Sequence, residues 1–246
     1  MRRLIINADD FGHAKHINDA VLDLHERGVV TSTTVMTNEP FFGHAVQIYP
    51  RTLGLGVHLN LTWGRSMVTG ARFSPMNRVK AVLGKLDPVF VEKEYRRQIE
   101  TLVDVGIQPD HLDSHHHLHA FSPMAAVIVK LAKEYNISKI RWPKELPTDT
   151  SLSVPYLKQR LIGKKLGVCQ LTTTDNFFGI LHTGRPSLKR FLSYLDFEGS
   201  AEICCHPSKG NSDSLCRLEE YMILKDPRFK QEILAHGIGL ISFRDL

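Results

Sequence analysis

Short apolar runs alternate with longer segments in which apolar residues recur every three or four positions, and the alternation continues nearly to the end of the chain. The short runs predict strands at Leu4–Ala8, Thr31–Met36, Leu53–Leu61, His111–His115, Lys139–Trp142, Leu171–Thr174, Ala201–Cys205 and Ile238–Ser242. The longer segments predict amphipathic helices at Ile17–Glu26, Val91–Val105, Met124–Tyr135, Leu152–Leu166, Ser187–Leu195 and Cys216–His236. Ile99, Leu102 and Val103 carry the helical spacing in one of them, with Gly106 as its stop. Strand and helix in turn call for a parallel sheet with helices outside it. Eight strands suffice for an irregular (β/α) TIM-like barrel. An open doubly wound sheet is the alternative, but no G-x-G-x-x-G follows the first strand. No linker, repeat or low-complexity stretch interrupts the pattern, so residues 1–246 read as a single domain.

The polar residues fall at the C-terminal ends of these strands. Asp9 and Asp10 follow the first, His58 and Asn60 end the third, and His115 to His117 end the fourth. Arg141 ends the fifth, Asp175 and Asn176 the sixth, and His206 the seventh. In parallel α/β folds these ends gather on one face, where active sites are built. Adjacent carboxylates such as Asp9 and Asp10 repel each other unless cations or donors compensate them, and a local turn is needed for both to face one site. Five histidines crowd into His111 to His119. On a strand, Asp113, His115 and His117 would share one face, so alternation leaves open whether His115 or His117 is the ligand. Asp113 suits the outer-shell role of orienting an imidazole. One Asp with two His gives the open arrangement expected of a hydrolytic or oxygenase metal centre.

Composition changes this picture little. The chain of 246 residues is 42% hydrophobic and 23% charged, enough for a sizeable core. A net charge of +5 is spread in short clusters, with nothing like a nucleic-acid arm. The opening apolar run is too short for a signal-peptide core, and no window approaches a membrane span. Four cysteines, Cys169, Cys204, Cys205 and Cys216, lack a C-x-x-C pair and read as reduced thiols, which points to the cytoplasm. Trp63, Trp142, Phe177 and Phe178 lie near the strand ends and could offer faces to pyranose rings. A homodimer is the default expectation for a soluble enzyme.

The segment Asn7-Ala8-Asp9-Asp10-Phe11-Gly12 resembles the opening signature of the YdjC-like carbohydrate deacetylases. So do Thr31-Ser32-Thr33-Thr34, Gly56-Val57-His58-Leu59-Asn60-Leu61-Thr62 and His111-Leu112-Asp113-Ser114-His115-His116-His117-Leu118-His119, with Arg141-Trp142-Pro143 and Glu202-Ile203-Cys204-Cys205-His206-Pro207 following in order. The resemblance covers nearly the whole chain. It implies an irregular (β/α) barrel related to polysaccharide deacetylases and removal of acetyl groups from N-acetylated sugars such as chitooligosaccharides. It also implies one divalent metal, Mg2+ or Zn2+, held by Asp10, His58 and His115. Asp9 would be the general base, His206 the general acid, and Arg141 the residue that steadies the base.

Three other functions fit parts of the pattern. A glycoside hydrolase wants two carboxylates on opposite sides of the scissile bond, whereas Asp9 and Asp10 are neighbours. A metal-dependent phosphoesterase would gather more ligands for a multi-metal centre. A non-catalytic sugar-binding protein would bind without turnover.

Overall fold

The computed structural model describes residues 1–145, 171–210 and 215–246. The helix expected at Leu152–Leu166, and Cys169, lie outside them. Seven strands are present among the described residues: β1 (Arg3–Phe11), β2 (Ser32–Val35), β3 (Gly54–Leu59), β4 (Leu112–Ser114), β5 (Asn176–Phe178), β6 (Ser200–Cys205) and β7 (Gly239–Leu240). The helices are α1 (Lys15–Glu26), α2 (Phe42–Ile48), α3 (Asn77–Val82), α4 (Pro88–Asp104), α5 (Met124–Glu134), α6 (Leu188–Ser193), α7 (Arg217–Lys225) and α8 (Pro227–Ala235).

All strand pairings are parallel, in the order β4-β3-β2-β1-β6-β5, and β7 joins β1 through Arg3–Gly239 and Leu4–Leu240. Beyond β4, single parallel bridges tie Leu112 to Ile140 and Lys139 to Thr172. The result is a parallel α/β sheet, curled rather than flat. Two sequence expectations shrink here: the strands at Lys139–Trp142 and Leu171–Thr174 are reduced to these bridges, and the regular strand starts later, at Asn176. Thr173 and Thr174 lead into it, and Asp175 takes the Ser200 hydroxyl and backbone amide (2.7 and 2.9 Å).

Helices cover the outside of the sheet, as its near-continuous apolar strands require. Every residue of β1 after Arg3 is buried. In α4, Asp87 caps the Val89 amide and Pro88 opens the first turn; Val91, Tyr95, Ile99 and Leu102 are buried at helical spacing. Glu94 and Gln98 on the same helix are buried too. Gln98 accepts from the Asn60 amide and donates to the Asn60 carbonyl, both at 2.8 Å. Glu94 accepts from Ser66 Oγ (2.6 Å) and from the Met67 and Val68 amides. The helix thereby fixes the loop that follows β3.

The single helix expected at Cys216–His236 is two. Asp226 is extended, with ψ 122°, and caps the Arg228 amide, while Pro227 opens α8. A proline disfavours the helical conformation of the residue before it, so the break is local chemistry. Among the described residues no helix is long and apolar enough to cross a membrane.

Candidate active site

The C-terminal ends of β1, β3, β4 and β6 bring Asp9, Asp10, His58, Asp113 and His206 together with Arg141. The turn that two adjacent carboxylates need is present. The register of β1 against β2 shifts between Ala8 and Phe11, and Asp10 sits in the left-handed region at φ 66°. Such a bulge re-aims side chains that alternation would send to opposite faces.

Arg141 is the hub of the buried layer and has no exposure. Its Nη1 and Nη2 donate to Asp9 Oδ2 and Oδ1 at 2.7 and 2.6 Å, a two-pronged clamp. Nη1 also meets Asp113 Oδ2 at 2.5 Å, and Nε donates to Glu202 Oε1 at 2.7 Å. Asp9 accepts further bonds from Asn7 Nδ2 (2.9 Å) and Cys204 Sγ (3.2 Å). Burial raises the Asp9 carboxyl, but Arg141, with His58 and His206, more than offsets it and holds Asp9 below the usual carboxylate range.

His58 lies between two carboxylates. Its Nδ1 donates to Asp113 Oδ1 at 2.7 Å, and its Nε2 stands 3.4 Å from Asp10 Oδ1. Burial lowers this imidazole, yet Asp113, Asp9 and Asp10 prevail and push it up to about 9. His115 behaves oppositely. Burial, with His58, His206 and Arg217 nearby, brings it down to about 3 against the pull of Asp10. Its Nδ1 pairs with Thr62 Oγ1 at 2.7 Å, and its ring lies 5.7 Å from that of His58. Burial holds His206 below its ordinary value despite Asp9. His206 Nε2 is 3.9 Å from Asp9 Oδ2, and its amide donates to Glu220 Oε2.

The strand alternation expected for Asp113, His115 and His117 does not hold. β4 ends at Ser114, and His115–Ala120 form a 3₁₀ turn in which His116 and His117 are left-handed, at φ 56° and 57°. Asp113 faces His58 while His115 leaves the strand. His119 locks the turn: Ser114 Oγ donates to its Nδ1 (2.7 Å), and its Nε2 donates to the Arg141 carbonyl (2.9 Å).

An open cleft of about 440 Å³ lies over this layer, lined by Asp10, His13, Trp63, Arg78, His115 and Arg217 among others. Asp9 and His206 lie outside its lining. Arg217 was not marked by any sequence signal; it reaches from α7 to Asp10 Oδ2 at 2.5 Å. Glu202 does have one, a lone charge in an apolar strand.

The donor set tests whether a cation fits. Asp10 Oδ1 is buried and accepts no hydrogen bond among the described residues. It faces His58 Nε2, whose ring is oriented by Asp113, and His115 lines the cleft beside it. A buried, unsatisfied carboxylate oxygen next to two oriented imidazoles suits a divalent cation. Two tighter groups, Asp9 with His58 and Asp113, and Asp9 with Cys204 and His206, each keep their donor atoms within 4.8 Å of one another. Both include Asp9, whose oxygens already hold a guanidinium, so a second cation there meets like charge.

The sequence profile of the YdjC-like proteins matches residues 3–235. The chain belongs to the YdjC-like family. It is similar to the carbohydrate deacetylase of Geobacillus stearothermophilus, 32% identical with 99% of this chain and 98% of the relative covered. It is also similar to that of Halalkalibacterium halodurans, 34% identical over 84% and 85% of the two chains. Among solved structures, an Enterococcus faecalis V583 protein provisionally named for cellobiose-phosphate cleavage superposes with a TM-score of 0.78. It is 27% identical and aligns over 99% of this YdjC-like chain and 98% of its own.

Proposed function

We propose that this YdjC-like protein is a metal-dependent carbohydrate N-deacetylase, removing an acetyl group from an N-acetylated sugar of the chitooligosaccharide kind. The observation that carries the reading is the pairing of an arginine-clamped carboxylate, Asp9, with its chain neighbour Asp10, which lines the cleft and keeps one oxygen without a hydrogen bond among the described residues. The names of the relatives from Geobacillus stearothermophilus and Halalkalibacterium halodurans support it. The bridges at Ile140 and Thr172 support an irregular barrel built as one domain.

Asp10, His58 and His115 are the residues that would hold the cation. The chemistry such an ion, Mg2+ or Zn2+, would supply there is polarisation of the acetamide carbonyl and acidification of water, which a poor electrophile needs. Asp9, kept ionised by Arg141, accepts the proton of the attacking water. Arg141 fixes both carboxylate oxygens, so the base does not rotate away from its target. His206, held below its ordinary value by burial, stands 3.9 Å from Asp9, placed to take up that proton and pass it to the departing amine. Arg217 balances the charge of Asp10 without occupying Oδ1.

The name of the Enterococcus faecalis protein favours a second reading, cleavage of a glycosidic bond. That chemistry needs a carboxylic acid still protonated near neutral pH to face the leaving oxygen. Asp9 and Asp10 are both held ionised. Glu202, pushed up to about 7 chiefly by burial, has no exposure behind Arg141. The deacetylase reading therefore stands first. Acetate release from diacetylchitobiose tests it: metal-loaded protein releases acetate, while chelated protein and Asp9→Asn lose at least about a hundredfold in rate. A new reducing end without acetate would move the function to glycosidic cleavage.

A further inference from the structure

The cleft has an exposed aromatic wall. Trp63 is 55% exposed, whereas Trp142 and Phe177, the other rings placed near strand ends, are 5% and 2% exposed and committed to the interior. Phe178 stacks on Tyr194 at 5.2 Å. Trp63 shares the cleft lining with Asp10 and His115.

An exposed tryptophan on a loose loop would mean little, but the backbone under this one is pinned. Its amide donates to Asn60 Oδ1 (3.1 Å), and its carbonyl accepts from Asn60 Nδ2 (2.8 Å). Asn60 in turn is held at both backbone groups by Gln98. The indole meets the His13 ring edge-on, centroids 5.8 Å apart at 77°, and His13 Nδ1 is anchored on Glu39 Oε2 at 2.9 Å. Gly64 completes the arrangement. It lies at φ +68°, and a Cβ there would come within 2.2 Å of Glu39 Oε1. A rigid, wet indole with its edge held from behind has the attributes of a preformed binding face.

We propose that Trp63 is a stacking platform for a second pyranose ring, adjacent to the acetylated one, so that the protein selects N-acetylated disaccharides or longer chains over monosaccharides. The inference rests on the deacetylase reading for its choice of ligand. A pyranose offers a face of C–H groups that packs on an indole, while its rim of hydroxyls stays available to polar groups such as Arg78 along the cleft.

The chain has 2 tryptophans, so Trp142→Phe leaves Trp63 as the sole indole reporter. Diacetylchitobiose titrated into that protein should give a saturable change in indole fluorescence, and N-acetylglucosamine a far weaker one. In the otherwise native chain, calorimetry should show Trp63→Ala weakening diacetylchitobiose binding by about tenfold and Trp63→Phe by much less. Binding without a Trp63 response, equal affinity of Trp63→Ala and wild type, or no binding at all would overturn the platform. Acetate release is scored separately. A Trp63 response with no acetate sinks the deacetylase reading and keeps the platform; acetate with no Trp63 response does the reverse.

Discussion

Arg141 carries one positive charge among three buried carboxylates, those of Asp9, Asp113 and Glu202, whose side chains are at most 1% exposed. The imbalance is carried by Glu202, whose Oε2 accepts no hydrogen bond among the described residues. Burial, together with the nearby Asp9 and Asp113 charges, pushes it up to about 7 from its ordinary 4.5 in spite of Arg141. A carboxyl raised on folding binds its proton more tightly in the native state, so its contribution is fully favourable below about pH 4.5 and is lost as pH rises through about 7. Glu202→Gln keeps an oxygen for Arg141 Nε and removes the titration. Its stability relative to wild type should rise by about 3 kcal/mol between pH 4.5 and 8, read from urea melts at the two ends. A constant difference across that range would place the uncompensated charge elsewhere.

Elements were legible from the sequence where period and burial agree. The strands β1, β2, β3 and β6 and the helices α1, α4 and α5 fall where alternation and helical spacing placed them. The misses have separate physical causes. α2 and α3 are short, with only Ala45 and Ala81 buried in them, and so leave no periodic apolar stripe to read. The turn at His115–Ala120 is set by left-handed His116 and His117, a conformation that side-chain pattern does not encode. In the site, Asp9, Asp10, His58, Arg141 and His206 do converge, because strand ends gather them. Arg217 comes from a helix far along the chain, and only packing shows that it meets Asp10. The spacing between elements also explains one glycine. β3 approaches β4 so closely that a Cβ on Gly56 would lie 2.6 Å from the His111 ring and 2.7 Å from the His111 carbonyl. Gly56→Ala should therefore destabilise the protein by about 2 kcal/mol through forced separation of the two strands, measurable by denaturant midpoint. An unchanged midpoint would mean that β4 yields freely.

Across the molecule, charge and apolar core are segregated. Leucine, isoleucine and valine fill the space between sheet and helices, while the ionised groups collect at one end of the strands. If Asp10, His58 and His115 hold a divalent ion, that ion binds the native state alone and stabilises it. Chelation should then lower the melting temperature, and added Mg2+ or Zn2+ should restore it in proportion to the logarithm of its concentration. A melting temperature indifferent to complete metal removal would count against those ligands. Reductant should have no effect through Cys204 and Cys205, which are buried thiols whose ionisation burial suppresses. The position of β1 sets a timetable for synthesis. It lies between β2, which follows closely in sequence, and β6, whose Ser200–Cys205 pair with Arg3–Ala8. At ordinary translation rates the ribosome needs roughly 10 to 40 seconds to make the residues that separate these partners. Through that interval Leu4, Ile5 and Ile6 have one open edge, exposed to chaperones and to neighbouring chains. The strand that carries both aspartates is made long before it can be enclosed.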